Sequence, residues 1–457
     1  MKKLLALALA LALLLGTVGA LAETTLKLGI WPVDTDERGL ETHETVFLPA
    51  FLADHPDVIV EKAPYDYNLQ TILPLLESGN APHVLSTWFT EPAKLVPNNF
   101  VVEITDALAA KGWLDKLAPS IRSAVSYGGS EHVYGVPRNF YGLGLMLNAE
   151  LFEEAGLVDE AGLPLYPKTW DELIDVSVKI KEETGAAGLC LLAADNAGGW
   201  HFVNIAWTFG ANFESLVDGK WVANVNSPEA VAALQLVKDM KWKYDILTAD
   251  PTAENWGTGF QHLGVGSAAM YIAADDAVAQ PTANYGLPKE KLMMIGIPAG
   301  PAGSYTLVGG NLFMFPSGTD EDQINAALDY IEVMGYAPIV TESARQGRIG
   351  DYESNVANGV PVMRGMTMWI DEDYNAMLDE LYEQYVNVDP AMFQPYYESI
   401  AAEGALKGEE PQQTQDLYAE LTKALQEILT NENADPQAVL DIAQANFQSL
   451  LDEQVNK

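Results

Sequence analysis

Cysteine is nearly absent from this chain: Cys190 is the single one in 457 residues. No internal disulfide can form. Its place in the apolar run Gly188–Leu192 predicts a buried strand in which the thiol packs rather than reacts. Positive charge is scarce too, with 25 Lys and Arg against 64 Asp and Glu and a formal net charge of −39. That balance excludes binding to a phosphate backbone, which needs clustered cations, and to an anionic membrane surface; no nucleic-acid partner is expected. The acidic excess reads as a solvated, self-repelling surface. Histidine is limited to positions 43, 55, 83, 132, 201 and 262, none in H-E-x-x-H or another metal-ligand spacing. There is no G-x-S-x-G elbow and no Walker loop. Gly264–Ala269 fits G-x-G-x-x-[GA] in form, but no strand precedes it and the nucleotide-binding context fails. No metal, cofactor or catalytic residue is therefore expected. Long apolar runs are limited to Leu4–Leu15, which follows Lys2 and Lys3 and precedes Ala20-Leu21-Ala22. This is the pattern of a cleaved secretory signal over residues 1–22, too short for a membrane span of about 20 apolar residues. No cysteine follows it for a lipid anchor, so an extracytoplasmic location, in a periplasm or the medium, is expected.

Beyond that leader the chain is rich in alternating elements. Thr25–Trp31, Val58–Val60 and Val84–Trp88 read as strands separated by helices around 41–55 and 67–78, the second despite Pro74. A second series starts near Gly142. Thr169 is an N-cap with Glu172 completing a capping box. Gly185 stops that helix, and Ser227-Pro228 opens another. Strands are expected over 291–298 and 307–315, helices over 320–334 and from Asp435-Pro436 onward, and a surface loop over 403–415. Strands separated by helices imply an α/β protein with mostly parallel sheets flanked by helices. Trp170, Trp221 and Trp242 fall within or beside these elements and are expected to pack.

Five segments together carry a family resemblance. They are Leu75–Val84; Tyr134–Asn148 with 150–157 and 167–173; Phe260–Met270; Ile297–Pro301 with Val308–Asn311; and 424–447, including Asn433-Ala434-Asp435-Pro436. Their order and spacing resemble extracellular solute-binding proteins of bacterial ABC transporters, family 1, the carbohydrate-type branch. The resemblance spans about Thr24 to Leu451, with His83 where the family usually has Asp.

It implies a two-lobed periplasmic-binding-protein type 2 clamp with a ligand between the lobes. The lobes would comprise 23–138 plus 311–345 and 139–310 plus 346–457, joined by hinge crossovers at Arg138–Tyr141, Leu307–Asn311 and Ser343–Gly350. The implied partners are a carbohydrate ligand and ABC permease subunits, the chain itself acting as a monomer and not as an enzyme. Sugars offer C–H faces to aromatic rings and hydroxyls to polar groups, so strand-end mixtures of both are the candidate ligand contacts. These are Trp31 with Asp34; Trp88, Phe89 and Glu91; Arg138, Asn139 and Tyr141; Trp200 and His201; and Asp275 with Asp276, which stand where many relatives have a tryptophan. Gly309, Gly310 and Asn311 complete the set, the glycines permitting close backbone approach. By position, Trp88 and Glu91 match a family stacking residue and hydroxyl acceptor. Two other readings remain open from the residues. A secreted glycoside hydrolase needs two carboxylates about 5 to 10 Å apart across the sugar, and no local arrangement singles out such a pair. The same clamp could also take a polyol, a glycerol phosphate or a peptide; the sparse cations weigh against a phosphorylated ligand.

Overall fold

The N-terminal series folds as its alternation demands. In the computed structural model, which describes residues 24–457, β1 (Thr24–Leu28) pairs in parallel with β2 (Val58–Lys62). Leu28 bridges Val84, just before β3 (Leu85–Trp88), also in parallel. The expected signal segment 1–22 lies outside the described residues. The chain is helical from Glu37 to Asp54, with one widened turn over His43–Phe47. Asp36 opens this run by accepting a hydrogen bond from the Gly39 N–H. Among the described residues no helix is long and apolar enough to cross a membrane.

Two strands tie the molecule together. β4 (Gly135–Asn148) starts with Val136 in one apolar core and ends with Leu143, Leu145 and Leu147 in a second. The second core continues through β5 (Ala187–Cys190), the hairpin β6 (Glu214–Val217) and β7 (Lys220–Ala223), β8 (Ala268–Ala274) and β9 (Leu292–Ile295). Cys190 is buried there as expected. β10 (Thr306–Met314) then returns, with Leu307 in the second core and Leu312 and Phe313 in the first. It runs antiparallel to β4 and β3, and in parallel with the short β11 (Leu406–Gly408). β4 is antiparallel to β8 and β9, whereas β5 and β8 are parallel. The expected parallel pairing thus holds for β1–β2, β5–β8 and β10–β11. The crossing strands are antiparallel because each must carry the chain back the way the other came.

The register of β4 against β10 slips at the crossing: Asn311 faces Asn139 and Leu312 faces Pro137. Arg138 is the extra residue of a bulge, a device that bends a strand and increases its twist. Pro137 sits beside it, where a missing N–H is tolerated.

The third crossing corrects the sequence expectation. Residues 343–350 lie inside helix Glu342–Ala357, and Tyr352 of that helix packs in the first core. Trp369, Tyr374, Met377 and Leu381 join the same core; the chain touches the second at Val360 and Met363 and enters it for good at Val388 and Met392. The last passage between the cores therefore falls at 385–388, and most of the buried side chains of 346–385 pack in the first core. The capped helix Trp170–Thr184 is as expected, with Thr169 accepting from the Glu172 N–H and Gly185 left-handed at φ +78. Its Glu172 carboxylate, however, reaches the Lys168 N–H at 2.6 Å rather than that of Thr169.

Candidate functional site

Between the lobes lies a cavity of about 520 Å³. Its floor is the crossing itself. The Asn139 side chain accepts from the Asn311 N–H through Oδ1 at 2.8 Å and donates through Nδ2 to Asp276 at 3.0 Å. One amide thus ties the bulged hinge to an acid in the turn after β8. Trp88, at the end of β3, faces the cavity from the first lobe and is 38% exposed; Tyr67 meets it edge-on at 5.2 Å.

The opposite wall is aromatic. Trp200 lies on helix Ala197–Phe209, whose first turn abuts helix Thr414–Thr430. A side chain at Gly199 would lie 2.2 Å from the Tyr418 carbonyl oxygen, so only glycine permits this approach. The approach brings Tyr418 and Trp200 onto the same wall. Trp256 opens helix Trp256–Gly264, capped by reciprocal Asn255 and Thr258 bonds. It meets Trp200 edge-on at 5.4 Å, and Tyr141 meets Trp200 edge-on at 6.4 Å. Asn196, Gln280 and Gln415 supply amides around the rim, and Glu409 a second carboxylate.

The acids are placed where ionisation is costly. Burial pushes Glu409 up to about 7, opposed by the Tyr418 hydroxyl, which donates to it at 2.9 Å. Asp275 lies behind the wall and accepts from the Gly142 N–H at 3.2 Å. Burial and then the neighbouring Asp276 charge raise it to about 7. Asp276 itself is open to the cleft; desolvation by the surrounding walls raises it, against the Asn139 hydrogen bond. Glu91 is buried, raised by desolvation, and accepts from Tyr67 at 2.6 Å and Thr90 at 3.1 Å. Such a lining can stack a ring on aromatic faces while amides and carboxylates bind its hydroxyls.

Of the residues singled out from sequence, Trp88, Asn139, Tyr141, Trp200, Asp276, Gly310 and Asn311 line this cavity. The others do not. Trp31 is 4% exposed in the first core, against His43 at 5.1 Å and under the Lys62 ammonium at 4.6 Å. Asp34 is exposed on the loop after β1. Phe89 packs towards Phe140 at 6.3 Å. Arg138, turned out by the bulge, donates to the Ser86 hydroxyl at 3.2 Å. His201 is fully buried behind Trp200, and burial holds it down to about 3.

The glycines serve the chain's own packing. The Tyr141 ring lies over Gly309, and a side chain at Gly310 would meet the Asn139 carbonyl oxygen at 2.3 Å. Asn196, Trp256, Gln280, Glu409, Gln415 and Tyr418 also line it, with Ala197, Ala274 and Ala277 between them. Of these, Tyr418 arises from the helix Thr414–Thr430, and Glu409 and Gln415 from the stretch 403–415, expected as a surface loop. Its polarity is turned inward instead. Glu410 accepts from the Trp207 indole at 3.0 Å, and the Gln412 N–H donates to Glu214 at 3.3 Å. Among the described residues no group of three or more His, Cys, Asp or Glu could hold a metal ion.

Residues 49–349 match the family described as bacterial extracellular solute-binding protein. The sn-glycerol-3-phosphate-binding periplasmic protein UgpB of Escherichia coli (strain K12) is 26% identical over 385 residues, covering 78% of this chain and 84% of that protein. UgpB of Salmonella typhimurium is 25% identical over 378 residues, 76% and 82% of the two chains. Among solved structures, the GacH receptor of Streptomyces glaucescens GLA.O, studied unliganded and with acarbose, superposes with a TM-score of 0.69. It is 18% identical, with 94% of this chain and 98% of that one covered. UgpB of Mycobacterium tuberculosis in complex with glycerophosphocholine gives 0.69 at 16% identity, with the same coverage. Those likenesses carry the two-lobed fold, and with the family match the conclusion is direct: this chain belongs to the bacterial extracellular solute-binding protein family.

Proposed function

We propose that the protein is the substrate-binding component of an ABC importer, that it captures a sugar or oligosaccharide between its lobes, and that it hands the ligand to membrane permease subunits. The observation that carries this reading is the cavity: aromatic faces from both lobes surround amides and carboxylates, over hinge strands shared by the two halves. Closure would be a hinge motion at the Arg138 bulge, driven by the ligand's preference for the closed form. The protein acts outside the cytoplasm as a monomer, exported by residues 1–22, and releases its ligand chemically unchanged. The test is titration of the purified protein with mono- to tetrasaccharides, followed by chromatography of the recovered ligand. Saturable one-to-one binding with intact sugar is expected. Cleaved sugar would favour a glycoside hydrolase, and tight glycerol phosphate binding without sugar binding would reassign the cargo.

A further inference from the structure

The charge of the cavity narrows its ligand beyond sugars in general. Every titratable side chain on the lining is an acid or a phenol: Asp276 and Glu409, with Tyr141 and Tyr418. Among the described residues no Lys, Arg or His faces the cavity. Nearby cations are turned to other work, Lys94 paired with Asp416 at 3.4 Å and Arg138 bound to Ser86. Two further acids stand immediately behind the wall, Asp275 beside Asp276 and Glu91 close enough to Glu409 to disfavour its ionisation. The two lining carboxylates are each met by one neutral donor, Asn139 and Tyr418 respectively, and by no counter-charge. Carboxylates left this way carry a desolvation cost that neutral donors offset only in part and that a proton or a cation relieves further.

The rest of the wall favours the cation. Trp88, Trp200, Trp256, Tyr141 and Tyr418 present ring faces and edges around the same space, and an ammonium over such faces gains a further attraction that grows as water leaves. A phosphate or carboxylate ligand meets the reverse: two acids in contact, two more behind, and no base to pair with. Resting on the carbohydrate reading above, we propose that the preferred ligand is an amine-bearing sugar, its cationic nitrogen placed between Asp276 or Glu409 and the tryptophan faces. Anionic solutes such as glycerol phosphates are excluded, so the chain departs in cargo from what the names of its curated relatives describe.

The experiment is calorimetric titration of the purified protein at pH 7 with matched pairs: glucosamine and glucose, fully deacetylated chitobiose and cellobiose, the corresponding trisaccharides, and glycerol 3-phosphate. The amine member of at least one pair should bind about tenfold or more tightly than its hydroxyl partner, with a preference that shrinks as salt is raised. Asp276→Asn and, separately, Glu409→Gln should each lower the ratio of amine to hydroxyl affinity about fivefold or more, whatever they do to neutral-sugar binding itself. Equal or tighter binding of the neutral partners, or tighter binding of glycerol 3-phosphate than of any amine, overturns the inference. The first of these outcomes leaves the sugar-importer reading standing. Failure of every sugar to bind counts against both.

Discussion

Asn139 is the side chain whose removal is most informative, because it holds the hinge and the cavity floor at once. Asn139→Ala leaves the Asn311 N–H without its partner and strips Asp276 of its donor. An orphaned N–H costs about 1–3 kcal/mol and a hydrogen bond to a charged group contributes about 1.5–3. Both groups border the open cleft, so the low end of each range applies, and about 2.5 kcal/mol of lost stability is expected. Asn139→Asp separates the two roles. It keeps an acceptor for the Asn311 N–H but sets a second carboxylate against Asp276, whose pKa is already above the ordinary 3.8. In that variant the folded state holds a proton that the unfolded chain releases. Its deficit relative to wild type should therefore be small in acid and grow as the pH rises past 3.8 towards neutrality. Urea unfolding at several pH values measures both variants, and sugar titration reports the cavity. A deficit below about 0.5 kcal/mol for Asn139→Ala, or an Asn139→Asp deficit that does not change with pH, would refute the assignment of Asn139 as the tie between hinge and acid.

Trp88→Ala should leave the unfolding midpoint nearly unchanged, since the ring is 38% exposed, yet weaken sugar binding about tenfold by calorimetry; equal losses in both would make Trp88 a packing residue. Lys94→Met removes an ion pair to Asp416 that joins the two lobes, with side chains 24% and 34% exposed. Solution scattering should show a more open average shape and affinity should fall a few-fold, since such a pair is worth up to about 1 kcal/mol, both differences fading at high salt. Glu214 is 3% exposed, and burial with the Glu410 charge lifts it to about 8. The folded state thus keeps a proton that the unfolded chain loses, and wild-type stability should fall between pH 4.5 and about 8 by about 1 kcal/mol per pH unit. Glu214→Gln lessens the slope by that amount in a series of thermal melts, Asp275 and Glu409 supplying what remains, and parallel curves for the two proteins would contradict the buried-acid assignment.

How far the molecule can be read from sequence depends on how local each feature is. The strands ending at Trp88 and the caps at Thr169 and Ser227 are short-range patterns, and the structure holds them where they were expected. Asn139 and Asp276 could be picked out because polar residues at a crossover and a strand end have few reasons to be there other than a cleft. Trp31 shares that local signature, but Lys62 and His43 fold over it from elsewhere and make it core. Glu409 and Tyr418 were illegible for the opposite reason. Glu409 lies in a stretch as polar as a surface loop and Tyr418 in the helix after it, and only the packing of Gly199 against Tyr418, together with the bonds from Trp207 and to Glu214, turns them inward. The third crossing was misplaced because an amphipathic helix shows which face is buried but not which of two cores receives it.

The threading of β4 and β10 through both halves has a consequence for biosynthesis. Neither half is a contiguous stretch of polypeptide, so an N-terminal portion leaving the ribosome or a translocation channel lacks Leu312, Phe313, Trp369 and Leu381 until the later portion emerges. Contacts so distant in sequence slow folding and lengthen the time in which apolar surface is uncovered. A nascent chain arrested before residue 385 should therefore remain protease-sensitive throughout, while one extended past it acquires a resistant first half at once.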